Sequence, residues 1–274
     1  MAELPEVETI RRQAAAEAVG RAWMVVSVKP SRYFRTPART VAGRLKGAIL
    51  EKVERRGKVL VFRFSNKLNL LVHLGMSGQV LLVPPAPAGP DHRHLTAALD
   101  DGRTLVFRDP RRFGWMRLVP DAELKETREL ASLGVDPLDP ALTWDRFSRE
   151  VMERGGAVKA VLMDQKTFAG IGNIYADEIL YQSRVAPARR VSELTPAQLK
   201  DLYHAVKSVL AASVEFGGTS FDDAFVDLHG RPGLYGGCLG VYGREGEPCG
   251  RCSTKLDHRS IAGRTSVFCP RCQK

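Results

Sequence analysis

Residues 249–272 read CGRCSTKLDHRSIAGRTSVFCPRC and place Cys249, Cys252, Cys269 and Cys272 in two C-x2-C pairs with sixteen residues between them. A C-x2-C turn can bring two thiolates to one metal ion, and two such turns complete a tetrahedral site. The spacing therefore predicts one structural zinc ion, with no position left open for water. Four unrelated reduced thiols are the weaker alternative.

The chain around these cysteines is basic, since residues 244–274 carry seven Lys and Arg against three Asp and Glu. A small basic finger suits a phosphate backbone. Arg264 lies in the turn-like sequence Ala262-Gly263-Arg264-Thr265 and is expected to project outwards, although this pattern alone favours an ordinary solvated arginine. Cys238 lies outside the spacing and is expected to be a small buried residue.

The composition of the 274-residue chain points to a polyanionic partner. Lys and Arg number 41 against 31 Asp and Glu, which gives a net charge of +10. Many basic proteins bind nothing specific, so this signal is weak by itself. No apolar stretch is long enough to span a membrane, and the acidic start of the chain does not resemble a signal peptide. We therefore expect a cytoplasmic protein of about two domains, with no membrane partner.

The first half of the chain predicts one helix and then antiparallel β-structure. The helix is expected over residues 5–19, because Pro5 suits a first turn and Gly20 ends the pattern. Short runs rich in Val, Leu and Phe, separated by turn-forming residues, predict strands over 58–64, 68–74, 79–83 and 103–108. The proline-rich segment 84–90 predicts a loop.

The second half is predicted to be helical after a boundary at residues 136–140. Helices over 158–165 and 174–182 flank a glycine-rich turn, where Asn173 is expected either to cap a helix or to bind a phosphate. A plain helical hairpin is equally compatible with this pattern. Thr195 to Gln198 form a capping box that starts another helix, and residues 219–240 predict a long loop.

The N-terminal segment Met1-Ala2-Glu3-Leu4-Pro5-Glu6 carries candidate chemistry. Because Ala2 is small, removal of Met1 is expected. This leaves an α-amino group, whose ordinary pKa is about 8, against about 10.4 for lysine. Such an amine can attack an electrophilic carbon at neutral pH, and Glu3 or Glu6 can move protons beside it. A free N-terminus followed by helix-capping acids is the simpler alternative.

Several motifs together resemble the formamidopyrimidine-DNA glycosylase family. In chain order they are Glu3–Thr9, His73–Gly78, Asp109–Gly114, Gly172–Glu178 and the paired C-x2-C turns. The resemblance implies an α+β fold with an N-terminal antiparallel β-sandwich and flanking helices over 1–135. A helix-two-turn-helix domain with a lesion-recognition loop would follow over 136–240, and a zinc-finger β-hairpin over 241–274, with DNA in the cleft between.

The resemblance also implies an activity on damaged double-stranded DNA. Members of the family extrude the damaged nucleotide, release oxidised purines such as 8-oxoguanine and formamidopyrimidines, and cleave the strand by β,δ-elimination. The N-terminal amine forms a Schiff base with the sugar, without a redox cofactor or a catalytic metal. A monomer is the family expectation.

Residue roles follow from the resemblance position by position. The implied catalytic residues are Ala2, Glu3, Lys58 and Arg264, and the implied DNA-binding residues are Glu6, His73, Met76, Arg111, Phe113, Asn173 and Tyr175. Met76, Arg111 and Phe113 would fill the space left by the extruded base, although the pattern alone favours core packing for Met76 and Phe113. Lys58, His73, Asn173 and Arg264 would hold phosphates. The loop from Thr219 to Tyr235 would close over the base, and its glycine content suits a mobile lid.

One position departs from the family pattern, which has proline directly after the initiator methionine where this chain has Ala2. The adduct of proline is already a charged iminium, whereas the imine of alanine must be protonated. A lower rate and less complete β,δ-elimination are therefore expected. If Met1 were retained, the amine would sit on the wrong residue.

Three alternatives remain at this point. A lesion-binding protein with little chemistry would keep every motif, and Ala2 favours it. An enzyme like endonuclease VIII would prefer oxidised pyrimidines, although its N-terminal pattern differs at Leu4 and at Val7 to Thr9. A non-enzymatic zinc-ribbon protein would explain the basic charge and the cysteines but not Glu3 or the Met76 and Arg111 motifs.

Overall fold

The computed structural model describes residues 2–29, 34–85, 92–221 and 225–274. The chain forms two compact units, Met1–Ala131 with Phe216–Gly236, and Ser132–Glu215 with Gly237–Lys274. Residues 216–236, which were expected in the helical domain, therefore pack with the N-terminal unit. The predicted three-domain division stays a prediction. Most of the predicted loop 84–90 lies outside the described residues, and none of the helices in the described part is long and apolar enough to cross a membrane.

The described residues of the first unit form three α-helices and two four-stranded antiparallel sheets. The helices are α1 (Leu4–Glu17), α2 (Ala38–Leu45) and α3 (Arg128–Ala131). The strands are β1 (Trp23–Val28), β2 (Leu50–Arg56), β3 (Val59–Phe64), β4 (Leu68–His73), β5 (Gln79–Val83), β6 (Arg93–Leu99), β7 (Thr104–Arg108) and β8 (Trp115–Pro120). One sheet has the order β1-β6-β7-β5 and the other β2-β3-β4-β8. The predicted strands are confirmed to within a residue at each end.

The two sheets share one core, as a β-sandwich requires. Phe62 and Leu70 from one sheet and Leu95 and Phe107 from the other belong to a single buried cluster. Strand β3 is buried on both faces, because Val59 and Val61 pack in a second cluster with Leu71 and Val119. This double burial explains why its sequence is a continuous apolar run rather than an alternating one. The predicted α+β sandwich is confirmed.

Helix α1 packs an apolar stripe into this core and starts one residue before the predicted position. Leu4, Val7, Ile10 and Ala14 are fully buried and recur at helical spacing. Glu3 is the N-cap residue. The start of the helix thereby places Ala2 and Glu3 at the edge of the sandwich core, in which Ala2 takes part.

The second unit is helical and ends in a small hairpin. Its helices are α4 (Trp144–Met152), α5 (Val158–Met163), α6 (Asn173–Gln182) and α7 (Pro196–Glu215), and its strands are β9 (Asp257–Ile261) and β10 (Arg264–Phe268). The predicted capping box is confirmed, since the Gln198 N–H donates to Thr195 Oγ1 and the Thr195 N–H to Gln198 Oε1. Gly172 rather than Asn173 caps α6, and Asn173 is its first residue.

Candidate functional site

The backbone nitrogen of Ala2, which is joined to Met1 by a peptide bond, lies against a tight turn between β4 and β5. Ala2 is only 8% exposed, and its backbone nitrogen donates to the carbonyl of Gly75 at 3.2 Å. Glu3 is also buried, and its N–H donates to Glu6 Oε2 at 2.8 Å. The candidate nucleophile is therefore held at a defined position beside a carboxylate.

The turn that holds Ala2 packs backbone to backbone on a second turn, between β7 and β8. Residues 74–78 and 109–114 are called the paired turns below. A Cβ atom on Gly75 would lie 2.5 Å from the Phe113 carbonyl carbon, and one on Gly114 would lie 2.6 Å from the His73 oxygen. Gly75 also has φ +64°, a region that side chains disfavour. Glycine is thus required at this approach.

Asp109 joins the paired turns through its side chain. One carboxylate oxygen accepts the Ser77 hydroxyl at 2.6 Å, and the other accepts the Gly114 N–H at 2.7 Å. Ser77 Oγ in turn accepts the Arg111 N–H at 3.1 Å. Asp109 and Ser77 both lie in the sequence motifs, but the motifs indicate no role for either residue. Their hydrogen bond joins two turns that are far apart in the sequence.

The paired turns project three of the predicted DNA-binding side chains into solvent. Met76 is 39% exposed and Phe113 55% exposed, and the Arg111 guanidinium lies 5.3 Å from the Phe113 ring centroid. The core-packing alternative for Met76 and Phe113 is therefore wrong. Two exposed apolar side chains beside an arginine on rigid turns are what a DNA wedge requires.

His73 and Lys58 lie near these turns, at the ends of neighbouring strands. His73 Nδ1 accepts the Gly75 N–H at 3.1 Å, and its ring stacks on Trp115 with centroids 5.6 Å apart. Burial, together with the charges of Lys58 and Arg35, lowers the pKa of His73 to about 4. His73 is therefore neutral at pH 7, and with Nδ1 accepting, the proton lies on Nε2.

Lys58 is held by a chain of contacts that begins on α1. Glu8 Oε2 accepts Arg55 Nε at 3.0 Å, and Arg55 Nη1 donates to the carbonyl of Gly57 at 3.0 Å. Burial opposes the charge of Glu8, but hydrogen bonds from Arg11, Arg55 and Arg12 and the charge of Arg55 lower the pKa of this carboxyl to about 2. This ionic cluster fixes the turn before Lys58, whose side chain is itself buried.

Glu6 connects the N-terminus to the glycine-rich loop. Besides the Glu3 N–H, its carboxylate accepts the Thr219 N–H at 2.7 Å. A Cβ on Gly218 would lie 2.8 Å from Glu6 Oε1, so glycine is needed there too. Glu6 is thus buried and occupied with backbone donors. Its bond from the Glu3 N–H is a helix capping box, as the helix-capping alternative predicts, whereas no sequence pattern indicates its bond from the distant Thr219 N–H.

The described part of the loop from Thr219 to Tyr235 is hydrogen-bonded at its base and along its return. Leu234 and Tyr235 donate to the carbonyls of Phe216 and Gly218 at 2.9 and 3.0 Å. Further along, Asp227 accepts the Gln13 side chain at 2.9 Å. The closure of this loop over a base stays a prediction, and residues 222–224 lie outside the described ranges.

The remaining predicted residues belong to the second unit. Asn173 Nδ2 donates to the Thr265 carbonyl at 3.1 Å, which ties the start of α6 to the residue after Arg264. Arg264 is exposed at the start of β10, as predicted. Tyr175, by contrast, is fully buried, so its side chain packs in the core and the predicted DNA contact by that side chain is not supported.

A buried ion pair holds the same hairpin. Lys159 Nζ lies 2.8 Å from Asp177 Oδ1, and both side chains are almost fully buried. Asp177 also accepts the Ser266 hydroxyl at 2.6 Å and the Val267 N–H at 3.1 Å, while Lys159 donates to Thr265 O at 3.1 Å. These contacts fix β10, and no local sequence pattern signals them.

The four cysteines predicted to bind zinc converge. Their sulfur atoms all lie within 4.8 Å of one another, with Cys249 to Cys272 at 4.0 Å and Cys252 to Cys269 at 3.5 Å. Zn–S bonds of about 2.3 Å at tetrahedral angles place sulfurs about 3.8 Å apart. The donor set therefore fits one structural zinc ion. Cys238 is outside this cluster and exposed, so its predicted burial is wrong.

Comparison with known proteins identifies the family. Sequence models match over residues 1–116 (formamidopyrimidine-DNA glycosylase N-terminal domain), 133–224 (formamidopyrimidine-DNA glycosylase H2TH domain) and 246–274 (zinc finger found in FPG and IleRS). The formamidopyrimidine-DNA glycosylase of Thermus thermophilus is 40% identical over 276 residues, covering 100% of this chain and 98% of the relative. That of Pelotomaculum thermopropionicum is 38% identical over 278 residues, covering 100% and 99%.

Solved structures agree with these relatives. The Lactococcus lactis Fpg in complex with abasic-site DNA superposes with a TM-score of 0.91 at 28% identity, covering 100% of both chains. The MutM (Fpg) protein of Thermus thermophilus superposes with a TM-score of 0.87 at 38% identity, covering 99% of this chain and 98% of that one. The matches run through the sandwich, the helical unit and the zinc finger, and this chain belongs to the formamidopyrimidine-DNA glycosylase family.

Proposed function

We propose that this protein removes oxidised purines, 8-oxoguanine and formamidopyrimidines, from duplex DNA and then cleaves the strand as an abasic-site lyase. Membership of the family makes it a DNA glycosylase of base excision repair that binds DNA. The finer assignment rests on the N-terminal amine. After removal of Met1, Ala2 attacks the anomeric sugar carbon, the base departs, and a Schiff base links protein and sugar.

The burial of Ala2 beside Glu3 is the observation that carries this proposal. The Ala2 nitrogen, which becomes the N-terminal amine once Met1 is removed, donates to the Gly75 carbonyl, and the next residue carries the buried Glu3 carboxyl. Glu3 can move a proton to the sugar ring oxygen as the ring opens. The iminium then acidifies the neighbouring sugar hydrogen, so that the 3′ and then the 5′ phosphate leave in β,δ-elimination.

The side chains on the paired turns fill the gap that an extruded nucleotide leaves in the duplex. Met76 and Phe113 replace lost stacking, and Arg111 hydrogen-bonds the orphaned base. Because Asp109 and Ser77 fix both turns, the three side chains are presented on a rigid base. Positioned wedges of this kind make extrusion less costly, since stacking is replaced as it is lost.

Phosphate binding is assigned to both units. In the first, Lys58 and the Nε2–H of neutral His73 serve this role, and a phosphate that accepts from His73 would favour its protonated form. In the second, Arg264 and the Asn173 end of α6 serve it. Binding should weaken steeply with salt, and an affinity that barely changes between low and physiological salt would argue against these contacts.

Borohydride trapping on a duplex with one 8-oxoguanine opposite cytosine tests the proposal, with the N-terminal mass read from the same sample. The expected result is a covalent adduct on the alanine amine, with Met1 absent. Ala2→Gly preserves a primary amine and should still form the adduct, whereas N-terminal acetylation should abolish it. An acetylated protein that still forms the adduct would refute the assignment of the nucleophile.

A lesion-binding protein with little chemistry is the second candidate, and the observation that favours it is Ala2 itself. Its site would bind an abasic-site analogue tightly and yield no adduct even when Met1 is shown to be absent. Under that hypothesis Ala2→Pro would restore trapping. The same assay on a second duplex, which carries one oxidised pyrimidine, separates the purine assignment from an endonuclease VIII-like preference. The duplex whose base is excised faster identifies the specificity.

We also propose that the protein acts as a cytoplasmic monomer of three domains, divided at residues 135 and 240. None of the helices in the described ranges is long and apolar enough to span a membrane. Sedimentation at working concentration, with and without duplex DNA, tests the monomer.

A further inference from the structure

We propose that the backbone carbonyl of Gly75 accepts a hydrogen bond from the N–H of the protonated imine formed by Ala2, and so keeps on that imine the proton that a primary-amine adduct can lose. The inference rests on the proposed function and concerns the residue at which this chain departs from the family pattern. It makes Gly75 a positioning residue whose carbonyl acts through the nitrogen of Ala2.

The need for such an acceptor follows from the number of protons that the nitrogen carries at each step. A primary amine adds to the anomeric carbon as the bond to the base breaks, and one of its two protons is then lost. Opening of the sugar ring, with proton transfer to the ring oxygen, gives a C=N bond whose nitrogen still carries one hydrogen. A secondary amine passes through the same steps and retains no N–H, so its iminium stays charged at every pH.

Loss of that last proton would stop the lyase reaction. A neutral imine withdraws electrons from the neighbouring carbon far less than an iminium, so the sugar hydrogen is no longer acidic. A hydrogen-bond acceptor aimed at the nitrogen favours the charged form, since hydrogen bonding to the charged species raises the pKa of the group. A backbone carbonyl is suited to this task because it accepts without itself titrating near neutral pH.

The geometry around Ala2 provides this acceptor already aimed. The Ala2 nitrogen lies 3.2 Å from the Gly75 oxygen, within hydrogen-bond distance. Gly75 is fixed by its N–H, which donates to His73 Nδ1, and by close packing on the Phe113 backbone, which an added Cβ would meet at 2.5 Å. A carbonyl held this way keeps its direction when the nitrogen changes from amine to imine.

Titratable groups lie on each of the elements that meet at the paired turns. Glu3 and Glu6 come from the N-terminal segment and α1, Lys58 and His73 from the ends of β3 and β4, and Asp109 from the second of the paired turns. The positive charge of Lys58 disfavours an iminium, and the carboxylates favour it. The test must therefore change the carbonyl without changing any of these side chains.

Replacing the peptide bond between Gly75 and Met76 by an ester does this. The α-hydroxy analogue of methionine at position 76 keeps every side chain and weakens the Gly75 carbonyl as an acceptor. The matched control is the α-hydroxy analogue of serine at position 77, which leaves the Gly75 carbonyl an amide. Ala2→Pro gives a reference adduct without an N–H.

The readout is the protonated fraction of the imine rather than activity. Each protein first forms its adduct at pH 7 on a duplex with an abasic site. Samples are then shifted rapidly to a series of pH values up to 9.5 and reduced at once with cyanoborohydride. This reagent reduces the iminium and not the neutral imine. For Ala2→Pro the trapped yield should not change with pH. For the natural protein and the ester at 77, the yield should fall only at alkaline pH. For the ester at 76, the half-point should move down by about one pH unit, a tenfold change in proton affinity.

The two hypotheses fail in different ways. If the ester at 76 and the natural protein lose trapping at the same pH, the Gly75 inference is overturned while the Schiff-base mechanism stands. If none of these proteins forms a reducible adduct at pH 7, the proposed function itself is overturned.

Discussion

The paired turns and the zinc finger hold their functional residues by opposite means. The finger fixes Arg264 through four thiolates that converge on one point, with a buried ion pair behind the hairpin. The paired turns position Ala2, Met76 and Phe113 through glycine-permitted backbone contacts and the Asp109 carboxylate.

The two regions should therefore respond differently to substitution. A metal site is a single cooperative element, because removing one ligand removes the ion and the order it imposes. The paired turns depend on several contacts of modest energy, so each change should shift geometry without unfolding the sandwich. Four substitutions test that contrast, in order of decreasing effect.

Cys252→Ser should have the largest effect. Loss of one thiolate abolishes tight zinc binding and disorders the hairpin, and we expect the affinity for abasic-site duplex to fall roughly a hundredfold or more. Zinc content and fluorescence anisotropy measure the two outcomes. The control is Cys238→Ser, an exposed cysteine outside the cluster, which should change neither. A Cys252→Ser protein that keeps stoichiometric zinc would contradict the assignment.

Asp177→Asn should come next. It leaves the Lys159 ammonium buried without its charge partner, and we expect a loss of about 3–5 kcal/mol in the free energy of unfolding. Denaturant unfolding of the zinc-loaded protein measures it. Asp201→Asn changes an exposed aspartate on α7 and should be neutral. Equal stability of the two variants would show that the metal alone fixes the hairpin.

Gly75→Ala should cost about 2–4 kcal/mol and slow adduct formation, because the added Cβ meets backbone atoms that cannot yield locally. Gly102→Ala is the matched control, since Gly102 also has a positive φ, +85°, but its Cβ would find open space out to 4.0 Å. That control should cost only about 1 kcal/mol, from the backbone conformation alone. Equal costs at both positions would remove close packing as the reason for Gly75.

Glu8→Gln should have the smallest effect, about 2–3 kcal/mol at pH 7. The pKa of Glu8 falls from its ordinary 4.5 to about 2 on folding, so its contribution is complete above pH 4.5 and is lost as the pH falls towards 2. The stability difference between this variant and the natural protein, measured from pH 7 to pH 3, should therefore shrink with acid. Glu247→Gln, at an exposed pair with Arg244, is the control. A stability difference that stays constant with pH would rule out the lowered pKa of the Glu8 carboxyl.

The sequence predicts local structure well where one short pattern decides it. The strand from Gln79 to Val83 and the capping box at Thr195 depend on neighbours a few residues away, and the zinc ligands depend on a fixed spacing. Strand β2 escapes prediction because its sequence, LEKVERR, is too charged to stand out, and only its pairing with β3 makes it a strand.

The candidate site could be predicted in its members but not in its connections. The resemblance supplied Ala2, Glu3 and Met76, yet the links from Glu6 to Thr219 and from Asp177 to Ser266 join residues far apart in the chain. No local pattern encodes such pairs. The burial of Tyr175 was equally hidden, since its motif suggested a DNA contact and the packing of α6 turns its ring inwards.

The burial of Ala2 has a consequence for how the protein matures. Under the proposed mechanism the nucleophile does not exist in the newly translated chain, because its nitrogen is still part of a peptide bond to Met1. Each molecule would be made inactive and become an enzyme only when an aminopeptidase removes one residue. Repair capacity would then depend on processing as well as synthesis, and an N-terminal tag would give a folded protein that binds damaged DNA without ever cutting it.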